Sequence, residues 1–458
     1  MVSRIVLAAC VLVTVVSNTV AKTWIVASDG SGDFTDIYMA VGAAVDGDVI
    51  IVRPGSYNRF TILGKSLVVI GSGTGVTVVH YLADGSSTVG IGNMAGKRAL
   101  VGHLSLHGDL PLAADATGGV VGLSDIELLR DYGPARGTNT GFYSKGGSTF
   151  FVRCPLKDLI PPDIDTPVGS PPGALLNGGT VAICQSFLDG HEGTYAANGQ
   201  QASPGGAGIL ASSAEVYLAE LSTLGGLGGK AFIGGLYCDE VYYAERGGHG
   251  LELITNTHLL TATRDPAMFF QGGKGGYGGP LPGCGNPSFP GGPGGDCVHA
   301  DPTSFAVLSG PYQLFPGVGG DGNPVGPPGS DKVGSVFVEN KPLPTLTIGG
   351  TGAIGAQLSL QIHGDPGDRV HLLLSDNFAK TVMPGLDGFP LFASPGGSYF
   401  FAFSLGTLSA SDLDLTFTLP DDQSLIGKLV LFQAVVISQD PTLRPRLTNV
   451  TAEILRDH

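Results

Sequence analysis

Residues 46–71, DGDVIIVRPGSYNRFTILGKSLVVIG, place two short apolar runs on either side of a Pro-Gly turn. The runs at 49–52 and 67–70 are rich in β-branched residues and are bounded by turn residues, which is typical of short strands. Two strands and a turn within 26 residues match one coil of a solenoid, in which each coil stacks on the next. The stretch therefore predicts the first coil of an all-β solenoid.

The segment before this coil predicts a cap. TWIVASDGSGDF, residues 23–34, has the pattern of a strand followed by a Gly-rich turn. Residues 35–45 then repeat apolar side chains at helical spacing, and Thr35 is a residue type that caps helix N-termini. An amphipathic helix near 35–45 could cover the open end of the first coil, so we expect a capping helix there.

The opening of the chain carries a set of recognisable motifs: DGSGDF at 29–34, Ile37, Ala40-Val41, Gly47-Asp48 and the pattern V-x-P-G-x-Y at 52–57. This opening resembles that of pectin methylesterases and other pectin-lyase-like proteins. The resemblance covers roughly residues 22–71 and implies a right-handed parallel β-helix. Because these residues form the cap and first coil in that family, the resemblance implies a fold more than an activity.

Glycine motifs recur at the spacing of coils. GGxG motifs followed by an apolar run begin at Gly205, Gly247 and Gly291, 42 and 44 residues apart. A second set, LGGLGG at 224, QGGKGG at 271 and VGGDG at 318, has steps of 47 residues. We interpret these motifs as corners of stacked coils, where glycine permits positive φ and close backbone approach. The predicted β-helix spans residues 22–340.

The C-terminal part of the chain has a different pattern. After the Pro-containing segment 339–344, residues 358–362 and 413–419 alternate apolar and polar side chains with period two. Alternation of this kind is typical of antiparallel strands that bury one face. Residues 343–458 are therefore predicted to form a β-sandwich domain.

The N-terminal sequence and the net charge indicate where the protein is located and which partners are unfavourable. Arg4, the apolar run 5–16 and the small residues Thr19 and Ala21 predict a signal peptide over residues 1–21, and hence a secreted or cell-surface protein. No later run is long and apolar enough for a transmembrane segment. The net charge of −15, without a basic cluster, argues against nucleic acid as a partner.

The cysteines suggest disulfides in an oxidising compartment. After removal of the signal peptide five cysteines remain. Cys284 and Cys297 bracket a short Gly/Pro loop and form the predicted local pair, and Cys154 could bond Cys184 if the two lie on adjacent coils. Cys238 would be left as a small buried residue.

Enzymes of the resembled family suggest two site patterns. A pectin methylesterase would need Gln, Asp, Asp and Arg on Gln-Asp-Thr and Asp-Phe-x-Phe-Gly motifs, and residues 71–342 contain neither motif. Polygalacturonase-like enzymes carry Gly-His-Gly near paired aspartates, since inverting hydrolysis needs an acid and a base. Here His249 lies between two glycines with Asp239 and Glu240 upstream, but it also occupies the variable position of a Gly-Gly-x-Gly corner.

The strongest departure from the repeat is DGHEG at 189–193. Aligned with GGLGG at 225–229 by an offset of 36, it puts carboxylates at two glycine positions. Asp189, His191 and Glu192 could supply acid–base groups, and Asp189 with Glu192 could bind calcium. A solvated turn in an acidic protein would explain the same residues.

Aromatic and charged side chains are adjacent at Tyr242, Tyr243 and Arg246, residue types that bind sugar rings. Two hypotheses follow. The first is non-catalytic binding of an extracellular polysaccharide or cell-surface component, with no required cofactor. The second is a carbohydrate-active enzyme, lyase or hydrolase, that uses the carboxylates and histidines named above.

Overall fold

The computed structural model describes residues 21–81, 86–108, 110–130, 140–158, 171–193, 202–230, 232–234, 240–278, 289–339, 341–393, 395, 397 and 400–457. The predicted signal peptide lies almost wholly outside these residues. The chain is all-β, as predicted, and forms a parallel β-helix followed by antiparallel C-terminal sheets.

Within the described residues, the β-helix region comprises one α-helix and 27 strands. In chain order they are β1 (Thr23–Val26), α1 (Ile37–Ala43), β2 (Val49–Val52), β3 (Gly55–Asn58), β4 (Phe60–Leu63), β5 (Leu67–Ile70), β6 (Thr77–His80), β7 (Val89–Gly92), β8 (Arg98–Gly108), β9 (Leu112–Asp115), β10 (Val120–Arg130), β11 (Phe142–Lys145), β12 (Ser148–Val152), β13 (Leu156–Asp158), β14 (Ala174–Cys184), β15 (Phe187–Asp189), β16 (Ile209–Ala219), β17 (Ser222–Leu224), β18 (Phe232–Gly234), β19 (Glu240–Tyr242), β20 (Leu251–Ile254), β21 (His258–Ala262), β22 (Phe269–Gln271), β23 (Val298–Ala300), β24 (Phe305–Ser309), β25 (Gln313–Phe315), β26 (Lys332–Val333) and β27 (Ser335–Glu339).

Parallel pairing arranges these strands on three faces. Face A stacks β1, β2, β5, the starts of β8 and β10, β12, the ends of β14 and β16, β21, β24 and β27. Face B runs from β3 and β6 to β15, β17, β22 and β25. Face C runs from β4 and β7 to β16, β20, β23 and β26. Alternate side chains point inward, as Ile50 and Val52 do, and form one apolar core along the axis.

The predicted capping helix is α1. Its N-cap is Asp36 rather than Thr35, because the Asp36 carboxylate accepts the amide of Ile37 at 2.8 Å. Ile37, Ala40 and Val41 are buried against the first strands, so the helix covers the apolar end of the solenoid.

Excursions between face B and face C pack into a layer that we call the glycine slab, formed by residues 190–193, 202–208, 225–230, 243–250, 272–278, 289–297 and 316–329. Hydrogen bonds in the slab repeat every third residue. Gly225 and Gly228 donate to the next coil at 2.8 Å, and Gly226 and Gly229 donate to an antiparallel segment at 2.8 and 3.0 Å. The third residue of most triplets faces outward, as the exposed Leu227 does, whereas Ala207 and His249 at this position are buried. This three-residue repeat is that of the polyproline II helix.

Close packing explains the glycines of the slab. A Cβ added to Gly226 would lie 1.8 Å from the carbonyl oxygen of His191, and one on Gly273 would lie 1.9 Å from that of Gly226. No glycine in the described part of the slab has φ in the left-handed region. The prediction of close backbone approach is therefore confirmed, and the prediction of positive φ at these glycines is wrong.

The strand register also differs at two positions from the alignment of glycine motifs predicted from the sequence. Leu251 pairs with Val298, which aligns Gly247 with residue 294 rather than with Gly291. Gln271 pairs with Phe315 rather than with Val318. Both errors are three residues, because a slab that repeats every three residues looks the same after a shift of one triplet.

Prolines end the slab at the last coil. Pro316 aligns with Gly272, and Pro328 aligns with Gly294, by the registers of β25 and β26. Gly272 and Gly294 each donate an amide hydrogen bond to the following coil. Proline has no N–H, so these positions of the last coil present no unpaired donor.

The C-terminal domain contains β28 (Thr345–Gly350), β29 (Gln357–His363), β30 (Arg369–Ser375), β31 (Phe378–Thr381), β32 (Asp387–Gly388), β33 (Leu391–Ala393), β34 (Phe400–Thr407), β35 (Asp412–Thr418), a 3-10 turn (Gln423–Leu425), β36 (Leu429–Ile437), β37 (Arg446–Leu447) and β38 (Thr451–Ile454). The three-stranded sheet β28–β29–β35 is antiparallel, and a larger sheet is built around β30 and β36. Leu358, Leu360 and Ile362 face the domain core, as the alternating pattern predicted.

This domain packs on face A. Outward side chains of that face, among them Ile70, Leu100, Phe150 and Ala262, share one apolar core with the C-terminal sheets. Face A is therefore not a free surface over these coils.

Charged residues at the corner between faces A and B bind the same domain. His103, Asp125, Arg153, Gln185 and Glu220 each have φ between 47° and 57°, a conformation that turns the chain sharply. Arg153 bridges Asp125 to the buried Glu453 of β38, at 2.7 Å from the Glu453 carboxylate. Gln185 exchanges two hydrogen bonds of 3.1 Å with the backbone of Ile348.

The predicted disulfide between Cys154 and Cys184 is not formed, and the predicted Cys284–Cys297 pair lies partly outside the described residues. Cys154, Cys184 and Cys297 are free and buried. Cys154 belongs to the β-helix core, whereas Cys184 lies on the other side of the wall against the C-terminal domain, with Asn449 3.2 Å from its sulfur. Cys297 is fully buried in the core, and its predicted partner Cys284 lies outside the described residues, as does Cys238.

Candidate functional site

A cleft of about 920 Å³ separates the A–B corner and face B from the three-stranded C-terminal sheet. Its volume lies within the range of ligand sites. The lining combines apolar, neutral polar and charged side chains. It consists of Pro155, Gln185, Ser186, Phe187, Glu220, Ser222, Arg264, Asp265, Ala267, Met268, Phe269, Thr347, Gln361, His363, Gly364, Ser411 and Asp412.

Phenylalanines form the apolar part of the β-helix wall. Phe187 and Phe269 are both half-buried, and their ring centroids lie 6.3 Å apart. Phe269 is in turn 6.1 Å from Phe315, so the rings follow the axis of the solenoid. The stacking arises because β15, β17 and β22 pair in register on face B, which places residues such as Phe187 and Phe269 on one ladder.

The opposite wall is the polar face of the three-stranded sheet. Thr347 pairs with Gln361, and His363 pairs with Asp412, so neutral and charged polar groups stand side by side. A second cavity of about 300 Å³ shares Thr347 and Gln361 with the cleft and continues past Ser359 and Thr416. The polar face therefore lines one continuous groove.

The acidic groups of the cleft already have hydrogen-bond partners. Glu220 accepts from the Thr263 hydroxyl at 2.7 Å and from the Arg264 amide at 3.0 Å. Asp265 accepts from the amide of Ala267 at 2.8 Å, and Asp412 contacts His363 Nδ1 at 2.8 Å.

Arg264 serves the domain junction rather than the cleft. Its guanidinium donates to the carbonyl oxygens of Pro342 and Leu343 at 3.0 and 3.1 Å and to Asp365 at 3.2 Å. These three hydrogen bonds orient the guanidinium toward the junction and leave few of its donors for a ligand in the cleft.

Among the described residues, no site residue predicted from the sequence lines this cleft. Asp189 pairs with Leu224, so the offset at this corner is 35 residues rather than 36. Glu192 therefore aligns with the outward Leu227, and only His191 replaces a glycine. His191 is buried, and its Nδ1 contacts the carbonyl oxygen of Glu192.

The predicted pairing of His249 with Asp239 and Glu240 stays a prediction, because the side chains of both acids lie outside the described part of the structure. His249 is buried in the glycine slab, and burial, with the nearby Arg246 and His299, lowers its pKa to about 3. Asp239 lies outside the described residues. Glu240 and Tyr242 belong to the hairpin β18–β19, which joins two segments of the slab.

The predicted sugar-binding residues are also on the slab. Tyr243 is 63% exposed, with its ring 6.1 Å from that of Phe289. Arg246 is half-buried and accepts, through its carbonyl oxygen, the amide of Gly205 at 2.8 Å.

Sequence reasoning missed the cleft because its walls come from residues 155–269 and 347–412, two parts of the chain that are 78 residues or more apart. One signal was present. The polar positions of QLSLQIH at 357–363 and DLDLTFT at 412–418 define a second face beside the apolar one, and that face is the groove wall.

Comparisons with known proteins give distant likenesses in fold. No protein-family model and no curated protein sequence matches the chain. The chain is similar to pectate lyase Pel9A (12% identity, TM-score 0.32, 71% of this chain and 79% of that one) and to a pectin methylesterase in complex with hexasaccharide VII (13%, 0.29, 64% and 81%). It is also similar to the Dettilon tailspike protein (12%, 0.28, 85% and 92%).

A search for membrane-spanning helices gave a negative result for the described residues. No helix among them has the length and apolar character needed to cross a bilayer.

Proposed function

We propose that the protein is a secreted β-helix protein that binds an uncharged, extended polysaccharide in the interdomain cleft without cleaving it. The observation that carries the proposal is the pairing of two unlike walls. Phe187 and Phe269 offer flat apolar rings, and Thr347, Gln361 and Ser359 offer neutral hydrogen-bonding groups along a groove. A sugar chain presents both apolar ring faces and many hydroxyl groups, so it can use both walls at once.

Charge favours a neutral ligand. Glu220, Asp265 and Asp412 contribute negative charge to the cleft, and the guanidinium of Arg264 is bound to the domain junction. The whole chain carries −15. An acidic polysaccharide would meet like charge in a partly enclosed site, which is unfavourable.

The hydrogen bonding of the carboxylates supports binding without turnover. A general acid or base must exchange a proton with its substrate, within hydrogen-bond reach. Both carboxylate oxygens of Glu220 accept hydrogen bonds from the protein. Oδ1 of Asp265 accepts a hydrogen bond from the amide of Ala267. These groups shape the cleft rather than present a free proton carrier.

The alternative is hydrolysis or lysis, for which the groove supplies one specific pair, Asp412 and His363, in contact at 2.8 Å and lining the cleft. An imidazole hydrogen-bonded to a carboxylate can act as a general base. If the protein is such an enzyme, the substitution Asp412→Asn should abolish its activity.

The test uses the mature protein and a panel of neutral and acidic polysaccharides, with binding measured by calorimetry and products measured as new reducing ends or unsaturated sugars. We expect at least one neutral glycan to bind and no product to form. Phe269→Ala should weaken binding at least 10-fold, and Gln361→Ala several-fold, since one hydrogen bond contributes about 0.5–1.5 kcal/mol. Tyr243→Ala, an exposed aromatic of the slab, is the matched control and should bind as wild type.

The outcomes separate the two functions. Product formation that depends on Asp412 would replace the binding hypothesis with the enzymatic one. Binding that falls in Tyr243→Ala but not in Phe269→Ala would move the site from the cleft to the slab. No binding to any glycan would contradict the proposal.

A further inference from the structure

His249, Asp296 and His299 form a cluster away from the cleft, where the glycine slab joins face C. Leu251 pairs with Val298, so His249 and Asp296 occupy the same position of consecutive coils. His299 follows on β23. The fold therefore brings three metal-ligating side chains from two stacked coils to one point.

The donor atoms are spaced like ligands of one ion. Asp296 Oδ2 lies 2.9 Å from His299 Nδ1 and 3.3 Å from His249 Nδ1. One donor atom from each residue lies within 4.8 Å of the other two. Ligands held at about 2.0–2.2 Å from a metal, at angles near 90–110°, are roughly 2.9–3.4 Å apart. The two measured separations fall in that range.

Hydrogen bonding leaves the cluster incompletely satisfied. The Asp296 amide donates to His249 Nδ1 at 3.0 Å, so Nδ1 carries the lone pair and Nε2 carries the proton. Nδ1 also faces the Asp296 carboxylate, and a metal ion bound there would take the lone pair in place of the amide hydrogen bond. Nε2 is buried without a hydrogen-bond partner and His249 is 1% exposed, so the ring is buried at an energetic cost that a metal bond at Nδ1 would offset.

The surroundings suit an ion that enters from solvent. Asp296 and His299 are partly exposed, at 15% and 30%. The amide of Ser330 holds Asp296 Oδ1 at 2.8 Å, which leaves Oδ2 turned toward the two imidazoles. A hydrogen bond to the second oxygen of a ligating carboxylate is the usual way in which proteins orient it.

We propose that His249, Asp296 and His299 bind one divalent transition-metal ion of the zinc and cobalt class, with water completing the coordination. Two imidazoles and one carboxylate are the donor set of such ions, whereas calcium takes oxygen ligands. The ion would join the coil of His249 to the coil of Asp296 and so brace the base of the slab. The proposal is independent of ligand binding in the cleft.

The test uses the full chain without a histidine tag, stripped of metal by chelation and titrated with Co²⁺ and Zn²⁺ at neutral pH. We expect one equivalent of Co²⁺ to develop visible ligand-field absorption, one equivalent of Zn²⁺ to displace it, and the thermal midpoint to rise with either metal. Excess Ca²⁺ should not displace Co²⁺. His299→Ala and Asp296→Asn should each weaken binding at least 10-fold and lose the thermal shift.

His258→Ala is the matched control, because it removes an exposed histidine of a neighbouring strand and should leave binding unchanged. If Asp296→Asn fails to fold, His299→Ala decides, since its side chain is partly exposed and its fold can be checked by circular dichroism. Wild type that takes up no stoichiometric metal, or that binds no more tightly than His299→Ala, would overturn the assignment.

Discussion

Replacing Gly273 with alanine should force the glycine slab apart. The new Cβ would lie 1.9 Å from the carbonyl oxygen of Gly226, whereas an ordinary carbon–oxygen contact is about 3.3–3.6 Å. The segments of Gly273 and Gly226 would have to separate by roughly 1.5 Å, which breaks the hydrogen bonds that join them on either side, from Gly225 to Gln271 and from Gly228 to Lys274 (2.8 Å each). Each buried group left unpaired costs about 1–3 kcal/mol, so the substitution should destabilise by about 2–5 kcal/mol.

The assay is urea unfolding followed by circular dichroism, with hydrogen exchange of the slab amides as the local measure. Gly42→Ala is the matched control. It makes the same substitution inside α1, where an added Cβ meets nothing within 4 Å, and it should stabilise by about 0.5–1 kcal/mol. If Gly273→Ala unfolds within about 0.5 kcal/mol of wild type and its slab amides stay protected, the close packing assigned to the slab is refuted.

Three further predictions concern the domain junction and the thiols. Glu453→Gln should destabilise the folded protein by about 3 kcal/mol, because it removes the charge that faces Arg153 in a buried pair. In a double-mutant cycle, adding Arg153→Met should recover part of this loss; if the two free-energy changes simply add, the two residues are not coupled. Burial alone would raise the pKa of Asp125, but hydrogen bonds and charge from Arg153 lower it. This carboxylate therefore stabilises the fold above the unfolded-state pKa of about 3.9, and the stabilisation is lost as the pH falls further. The thermal stability of Asp125→Asn should fall less in acid than that of wild type, and an unchanged pH profile would count against this role. Burial raises the pKa of both Cys154 and Cys297 to about 12, so site-resolved alkylation should leave them unlabelled until the protein unfolds, and rapid native labelling or a mapped disulfide would contradict the free buried thiols.

Local patterns predicted the fold because each coil is built from short-range signals. The runs 49–52 and 67–70 became strands of face A, the helical spacing after Thr35 became α1, and the alternation at 358–362 became an antiparallel strand. These features depend on neighbours in sequence, which a single chain displays directly.

The strand register and the candidate site were harder to predict from the sequence, for a physical reason. A slab with a three-residue period aligns equally well after a shift of one triplet, so glycine spacing alone could not distinguish residue 291 from residue 294 as the partner of Gly247. A shift of one residue at Asp189 moved Glu192 from an inward to an outward position. The cleft depends on how the C-terminal sheet lies against face B, and nothing local in the sequence fixes that contact.

The interdomain cleft as a glycan-binding site is the claim on which this account depends most. Hydrogen exchange of the wild-type protein, with and without a neutral polysaccharide that binds it, tests that claim directly. We expect added protection in β22, β29 and β35, with no cleaved product, and no added protection in residues 243–250 of the slab. Protection confined to the slab, or protection accompanied by turnover, would contradict it.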